Sequence, residues 1–208
     1  MRGKFITFEG IEGSGKSSQI RLLAEALKAR GIKYILTREP GGPPISERIR
    51  ALLLDPQNKE MSSETELLLY CASRAQHTSE VILPALASGV HVICDRYYDS
   101  SYAYQGAARS LDKEIIRILT AFSTYSTDPD RTFLLDLPVE QSLSRIQDRE
   151  LDRLEQESLS FHVKVREQYL SIAKDNASRY LVLNGLEDIN ILHRQILAAV
   201  FKLIGAAQ

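Results

Sequence analysis

Residues 10–17, with the sequence GIEGSGKS, place three glycines and a lysine at fixed spacings between two segments that differ in their pattern of apolar residues. Before them, residues 5–8 form a short apolar run typical of a buried strand. After them, Ile20, Leu23 and Leu27 recur at helical spacing. The pattern G-x-x-x-x-G-K-[ST] needs a strand on one side and a helix on the other. The chain is therefore predicted to begin with a β-strand joined by a tight loop to an α-helix.

The rest of the chain repeats this alternation of strand and helix. Further short apolar runs occupy residues 34–37, 90–94, 133–135 and 180–183. Helical patterns separate them and are predicted to start near Ser17, Pro43, Ser62, Asp112, Pro138, Leu154 and Leu186. Apolar strands separated by helices form parallel sheets that are covered on both faces. We predict an α/β fold, a three-layer sandwich with a five-stranded parallel sheet flanked by helices, in one domain over residues 1–208.

The charge balance and the cysteine content exclude several classes of protein. The 26 Lys and Arg residues are matched by 27 Asp and Glu, giving a net charge of -1. This argues against a surface tuned to nucleic acid or to an anionic membrane. The only two cysteines, Cys71 and Cys94, lie in apolar runs, which indicates reduced thiols in the core. With no signal-like segment and no apolar run near ~20 residues, a cytoplasmic protein is expected.

The glycine-rich segment predicts a phosphate-binding loop. Glycines let the backbone curl so that successive N–H groups face phosphate oxygens, and the helix N-terminus adds partial positive charge. Lys16 is placed to reach the β- and γ-phosphates, and the Ser17 hydroxyl to ligate Mg²⁺. A dinucleotide-binding motif is disfavoured because Ser18 stands where G-x-G-x-x-G needs its third glycine. We therefore predict that a nucleoside triphosphate is bound with Mg²⁺ by Gly10, Ile11, Glu12, Gly13, Ser14, Gly15, Lys16, Ser17 and Ser18.

A phosphate-binding loop alone leaves several functions open. A GTPase switch normally adds a D-x-x-G turn, but Asp95, Asp99 and Asp136 are not followed by glycine three positions on. Residues 58–61, NKEM, begin like the guanine-reading motif N-K-x-D and lack its aspartate. A motor or DNA-dependent ATPase needs a longer chain and usually a basic face. The remaining class is a small phosphotransferase, which holds a second anion opposite the triphosphate.

Three arginine-bearing segments are candidates for that second anion site. Arg38 follows the second predicted strand and Arg96 the third, at the sheet edge where open α/β sheets bind ligands. Asp95 is placed to serve the metal through a water, and Arg96 to clamp a phosphate with two hydrogen bonds. On spacing alone, the third set is a solvated helix face with its cations four residues apart: Arg145, Arg149 and Arg153.

Six segments in the same order resemble the thymidylate kinase family over nearly the whole chain. They are FEG with GIEGSGKS, TREPGG at 37–42, SRAQH at 73–77, DRY at 95–97, AYQG at 103–106 and LDRLEQE at 151–157. The resemblance implies a P-loop nucleoside monophosphate kinase with an arginine-bearing lid at about residues 145–155. Such an enzyme moves the γ-phosphoryl group of ATP onto dTMP, giving dTDP and ADP, with Mg²⁺ and in dTTP biosynthesis. Members are usually homodimers.

The resemblance also implies an acceptor site. In the family's arrangement Arg38 and Arg96 hold the dTMP phosphate, and Glu12 lies near the sugar 3′-hydroxyl. Tyr70 stands where the family places an aromatic ring on thymine, and Arg74, one helical turn later, donates to thymine O4. The other expected contacts, at the base edge and beneath the deoxyribose, are Ser101, Gln105 and Tyr104.

The transferring phosphoryl group needs positive charge around it. Some family members carry an arginine inside the P-loop, where this chain has Gly13 and Ser14. The lid is the other source, so Arg149 and Arg153 are expected to supply the charge ahead of Arg145, which precedes the lid proper. The predicted catalytic residues are Lys16, Asp95, Arg96, Arg149 and Arg153, and the predicted metal-binding residues are Ser17 and Asp95, the latter through a water.

Two other functions remain open on the sequence. One is a kinase of another nucleoside monophosphate, or of a deoxynucleoside, on the same scaffold. The other is a non-catalytic nucleotide-binding module, against which the presence of Lys16, Asp95, Arg96 and the lid arginines argues.

Overall fold

A five-stranded sheet forms the centre of the molecule. In the computed structural model, which describes residues 2–148 and 150–206, the strands are β1 (Phe5–Glu9), β2 (Tyr34–Arg38), β3 (His91–Asp95), β4 (Arg131–Asp136) and β5 (Tyr180–Asn184). All neighbouring strands pair in parallel, in the order β2-β3-β1-β4-β5. Each observed strand overlaps its predicted run, so the predicted parallel sheet is confirmed.

Helices cover both faces of this sheet. Helices α1 (Lys16–Ala29) and α9 (Ile189–Ile204) pack together on one face, where the apolar side chains of α1 meet those of β1 and β4. The opposite face is covered by α4 (Leu83–Ala87) and α8 (Leu159–Asp175). In the parts of the chain that the structure describes, no helix is both long and apolar enough to cross a bilayer. The remaining helices are α2 (Pro44–Leu54), α3 (Ser63–His77), α5 (Asp99–Ser101), α6 (Lys113–Ser123) and α7 (Val139–Ile146).

The helical segments that the sequence does not predict include two π-helical turns. A π-helical turn over Thr78–Ile82 joins α3 to α4 without a break, and a second over Tyr102–Ala108 extends α5. Because π-helical turns have i→i+5 hydrogen bonds, their apolar residues do not follow the 3.6-residue period of an α-helix. The second turn follows β3 closely and brings the AYQG segment to the carboxyl edge of the sheet.

Helices α8 and α9 begin later than predicted. Asp152 Oδ1 accepts hydrogen bonds from the backbone N–H groups of Leu154 and Glu155, at 2.9 Å each, which holds residues 151–157 in turns. Helix α8 then starts after Ser158, whose Oγ accepts from Phe161 N. Side-chain capping therefore decides both boundaries, since Asp188 caps α9 in the same way.

The helical face that spacing alone suggests for the three arginines, if their segment is helical, is not formed by the two that the structure describes. Helix α7 ends at Ile146, so Arg145 is helical, whereas Arg153 lies in the turns that precede α8. Arg149 lies outside the described residues. The two cysteines, in contrast, are buried free thiols as predicted.

Candidate active site

The glycine-rich loop curls at the end of β1, and its glycines are required by close contacts. Gly10 and Gly13 have φ angles of 136° and 67°, in the region that favours glycine. A Cβ atom on Gly10 would lie 2.5 Å from Leu135 O, and one on Gly13 would lie 2.9 Å from Ser142 O. The loop therefore has this shape only with glycine at both positions.

Lys16 lies at the centre of this loop. Its Nζ donates to Gly10 O and Ile11 O, at 2.9 Å each, so the ammonium group is held on the inner side of the loop. Burial lowers the pKa of Lys16 to about 8, and the nearby guanidinium of Arg96 adds to the lowering. No described side chain caps the N-terminus of α1, which leaves its first backbone N–H groups available to an anion.

Ser17 and Asp95 meet beside the loop, at the carboxyl ends of neighbouring strands. Ser17 Oγ lies 3.4 Å from Asp95 Oδ2, and Asp95 Oδ1 is buried without a hydrogen-bond partner among the described residues. The described part of the chain contains no group of three His, Cys, Asp or Glu that would hold a metal by itself. One hydroxyl and one carboxylate fit Mg²⁺, which keeps several waters and takes other ligands from phosphates.

A cavity of about 320 Å³ opens next to the loop. Its walls come from the loop itself, from α3, from the segment after β3 and from the turns at 151–157. The structure thereby brings together side chains from widely separated parts of the sequence. Every residue predicted to contact the acceptor lines this cavity except Ser101; they are Glu12, Arg38, Tyr70, Arg74, Arg96, Tyr104 and Gln105.

Glu12, Arg96 and Tyr104 form a cluster where the cavity meets the loop. Arg96 Nη2 donates to Glu12 Oε1, and Tyr104 OH donates to the two oxygens of the same carboxylate at 2.9 and 3.0 Å. Burial raises the pKa of Glu12, but the nearby cations Arg96 and Lys16 lower this pKa by more than burial raises it. The net shift of the pKa is therefore downward. Glu12 is therefore a carboxylate at neutral pH, in contact with a cation that faces the cavity.

Arg74 reaches the cavity from α3 and is 1% exposed. Its Nε donates to Glu39 Oε2 at 2.8 Å and its Nη2 to Ser101 Oγ at 3.0 Å. Its Nη1 is buried and has no hydrogen-bond partner among the described residues. Ser101 thus contacts Arg74 rather than the cavity, and Arg74 retains an unused donor for a ligand.

Arg38 and Arg50 also line the cavity. Arg38 pairs with Glu47 at 2.9 Å and its side chain is 53% exposed, so a phosphate is able to approach it. Arg50 Nη1 donates to Pro40 O at 2.8 Å. Arg50 is a lining residue that sequence reasoning missed, because its position in α2 carries no motif.

Arg145 and Arg153 are placed very differently. Arg145 Nη1 donates to Gly13 O at 3.0 Å, so its side chain lies on the phosphate-binding loop. Arg153 is 7% exposed; its Nη2 pairs with Glu66 at 2.6 Å and its Nε donates to Leu53 O at 2.9 Å. In this arrangement Arg153 faces a buried carboxylate and not the loop, and its catalytic role stays a prediction.

Other lining residues that the sequence did not single out include Glu39, Ser100, Asp152 and Glu155. Glu39 and Asp152 are inside segments that carried the resemblance. In the fold both line the cavity, and Glu39 also accepts a hydrogen bond from Arg74. Ser100 is in the short helix α5, for which no sequence signal was found.

Comparisons with known proteins agree with this geometry. The sequence model described as thymidylate kinase matches residues 8–196. The thymidylate kinase of Caldanaerobacter subterraneus subsp. tengcongensis is 44% identical over 208 residues, which is 100% of both chains. That of Carboxydothermus hydrogenoformans is 50% identical over 186 residues, covering 89% of this chain and 90% of the other. A crystal structure of thymidylate kinase from Ehrlichia chaffeensis superposes with a TM-score of 0.79 at 34% identity, covering 96% of this chain and 100% of that one.

Proposed function

This chain belongs to the thymidylate kinase family, and from that membership we propose how two nucleotides and a metal ion occupy its site. It is a kinase that phosphorylates dTMP to dTDP, a step of dTTP biosynthesis. The observation that carries the proposal is the juxtaposition of an anion-binding loop with a cavity that contains two exposed or free arginine donors.

The donor is ATP, with its phosphates in the loop of residues 10–18. The free N–H groups at the start of α1 and the ammonium group of Lys16 face this position, which supports the assignment. Ser17 and Asp95 would hold Mg²⁺, the latter through a water. When bound, the ion neutralises charge on the β- and γ-phosphates.

The acceptor dTMP lies in the adjacent cavity. Its phosphate is held between Arg38 and Arg96, which line the cavity together with Lys16. Its thymine ring stacks on Tyr70, and Arg74 Nη1 donates to thymine O4. A buried cationic donor without a partner favours the binding of a base that has an acceptor at that position. A base with an amino group there leaves the donor unpaired and binds much less well.

Transfer then depends on position and charge. A phosphate monoester has its second pKa at about 6, so the acceptor is mostly a dianion at neutral pH and needs no general base. The acceptor oxygen attacks the γ-phosphorus as the bond to the β–γ bridging oxygen breaks, with ADP as the leaving group. Lys16, Arg96 and the lid arginines Arg149 and Arg153 stabilise the charge that spreads over the transferred oxygens.

A panel of acceptors tests this assignment. ATP consumption with Mg²⁺ is measured for dTMP, dUMP, dCMP, dGMP and thymidine side by side. We expect dTMP to be used best, dCMP to be used worst among the pyrimidine monophosphates because its amino group meets Arg74, and thymidine to be inert because it lacks the phosphate for Arg38 and Arg96. Turnover of thymidine, or equal turnover of dCMP and dTMP, would contradict the acceptor assignment.

We propose a homodimer formed through α6 and α3. Helix α6 exposes Ile115, Ile118 and Phe122, the last 79% exposed, in one stripe three and four positions apart. Helix α3 packs beside α6 and exposes Leu68. A contiguous apolar surface of this kind is typical of an interface. The free thiols of both cysteines support the further proposal that the enzyme works in the cytoplasm.

A further inference from the structure

Arg96 has an unusual backbone conformation. Its φ angle is 68°, in the left-handed region that residues other than glycine seldom adopt. Hydrogen bonds on both sides hold it there: Arg96 N donates to Phe8 O at 2.9 Å, and Tyr97 N donates to Glu9 Oε1 at 2.7 Å. Because such a conformation persists only where the surroundings enforce it, the carboxylate of Glu9 helps to fix the backbone of Arg96.

The guanidinium of Arg96 is connected to the same carboxylate. Arg96 Nη1 donates to Tyr169 OH at 3.0 Å, and Tyr169 OH donates to Glu9 Oε2 at 2.8 Å. Ser100 Oγ lies 2.8 Å from both Glu9 Oε2 and Tyr169 OH and closes a triangle of hydrogen bonds. Glu9 is fully buried and Tyr169 is 1% exposed, so these contacts are shielded from bulk water.

Neither Glu9 nor Tyr169 lines the acceptor cavity, whereas Arg96 does. A guanidinium carries five N–H donors in a rigid plane, and its recognition of phosphate depends on the orientation of that plane. Contacts to Tyr169 at Nη1 and to Glu12 at Nη2 fix the plane from two sides and leave its other donors for a ligand.

We propose that Glu9 is a positioning residue for the acceptor phosphate, and that it acts on Arg96 in two ways, through Tyr169 OH and through the backbone N–H of Tyr97. The inference rests on the proposed contact of Arg96 with that phosphate. It predicts that the hydroxyl of a tyrosine outside the cavity determines how well the enzyme distinguishes dTMP from thymidine.

The first test is Tyr169→Phe, which removes one hydroxyl from the network. Binding of dTMP and of thymidine is measured by calorimetry without ATP. We expect the Kd of dTMP to rise about tenfold, because the guanidinium of Arg96 loses its fixed orientation, and the Kd of thymidine to change less than about twofold. The matched control is Tyr98→Phe, which removes a hydroxyl that donates to Asp128 at 2.9 Å and has no contact with Arg96, and which should leave both Kd values unchanged.

The second test asks whether Tyr169 and Glu9 act through Arg96. In an Arg96→Lys background, Tyr169→Phe should have little further effect on dTMP binding, because the planar group that it orients is gone. Glu9→Gln should weaken dTMP binding about as much as Tyr169→Phe, and the double variant should be far from additive. If Glu9→Gln does not fold, Tyr169→Phe decides alone.

Distinct outcomes separate this inference from the assignment on which it rests. If Arg96→Lys leaves the Kd of dTMP unchanged, the proposed contact of Arg96 with the phosphate is wrong. If Arg96→Lys weakens dTMP binding but Tyr169→Phe does not, or if Tyr169→Phe weakens dTMP and thymidine equally, the positioning role is overturned while the contact of Arg96 stands.

Discussion

Arg74 and Arg96 line the cavity as members of ion pairs: Arg74 pairs with Glu39 in a buried position, and Arg96 pairs with Glu12 in a partly buried one. Removing one partner of a buried pair leaves an uncompensated charge and commonly costs about 3–5 kcal/mol. Each carboxylate also fixes the orientation of its arginine, so the donors that face the cavity are set before any nucleotide binds. At the scale of single residues, recognition by this site is therefore largely pre-organised.

Arg74→Ala is expected to act mainly on acceptor binding. The substitution removes the donor for thymine O4 and leaves Glu39 without its 2.8 Å partner. We expect the KM for dTMP to rise by about 10- to 100-fold, with a much smaller change in kcat, because the base is remote from the transferred group. Steady-state kinetics measures this, with Arg117→Ala as the control, since Arg117 forms an exposed ion pair with Glu114 on α6 and does not line the cavity. A loss confined to kcat would contradict the assignment of Arg74 to the base.

Glu9→Gln is expected to change how stability depends on pH. Burial and the neighbouring carboxylate of Asp99 raise the pKa of Glu9 to about 7, against the lowering effect of Arg96, Ser100 and Tyr169. An unfolded glutamate titrates at about 4.3, so between these values the folded state holds a proton that the unfolded state has lost. The stabilisation from Glu9 is then complete below about pH 4 and is lost as the pH rises through about 7.

Urea unfolding at pH 5, 6, 7 and 8 tests this dependence. We expect the fall in the free energy of unfolding across this range to be smaller in Glu9→Gln than in wild type, by on the order of 1–3 kcal/mol. The exposed variant Glu25→Gln serves as the control and should keep the wild-type slope. Identical slopes for wild type and Glu9→Gln would show that Glu9 does not titrate in this range.

The segment between α7 and α8 is the element whose structural role differs most from the role that the sequence predicts. Arg153 within it bridges Leu53 O at the end of α2 and the carboxylate of Glu66 in α3. Glu66 is fully buried and also accepts from Gln105 and Arg109, so it connects this segment to the cavity wall. While Arg153 is paired with Glu66, it anchors the segment. To reach a phosphoryl group, Arg153 must first break this ion pair.

Variants of the two lid arginines should therefore differ. We expect Arg149→Ala to lower kcat by about 10³-fold, since an arginine at the transferred group is worth about 10³ to 10⁵ in rate. Arg153→Ala should lower both kcat and Tm, because it also removes one of the two arginines that pair with the buried carboxylate of Glu66. Arg153→Lys keeps the ion pair and should recover Tm more than kcat. Full kcat in Arg153→Ala would leave this residue with an anchoring role alone.

At the scale of the whole molecule, the parallel sheet explains why the site lies where it does. The carboxyl ends of β1, β2 and β3 meet at one edge, so the loop, Arg38 and Asp95 with Arg96 become neighbours. The apolar stripe on α6 belongs to the helical layer that also contains α3, the helix of Tyr70 and Arg74. A dimer through this layer would brace the wall of the acceptor cavity.

Phe122→Glu tests that dimer. A charge in the centre of an apolar interface opposes association, so we expect the wild-type chain to elute with the mass of a dimer and Phe122→Glu with that of a monomer. Light scattering after size-exclusion chromatography measures both masses. Val182→Glu is the matched control, because Val182 is 46% exposed on the edge strand β5, away from α6. A wild-type monomer, or a dimer that survives Phe122→Glu, would contradict the proposed interface.

Local patterns in the sequence predicted the sheet, the order of its strands along the chain and the phosphate-binding loop. Strands and amphipathic helices follow from the spacing of apolar residues, and the loop from glycines whose φ angles few other residues adopt. The boundaries of α8 and α9 were missed where the capping side chains Asp152, Ser158 and Asp188 override that spacing. The π-helical turns were missed because they do not follow the period of an α-helix.

By itself, the sequence determined which residue types serve the chemistry and where along the chain they stand. Only the tertiary structure decided their partners: Glu9 with Tyr169, 160 positions away, Arg74 with Glu39, and Arg153 with Glu66. Such pairings depend on how helices and strands pack, and no local pattern encodes a contact between distant elements. The physical reason is that a buried charge must find a partner inside the fold, and the fold alone determines which carboxylate or hydroxyl lies within reach.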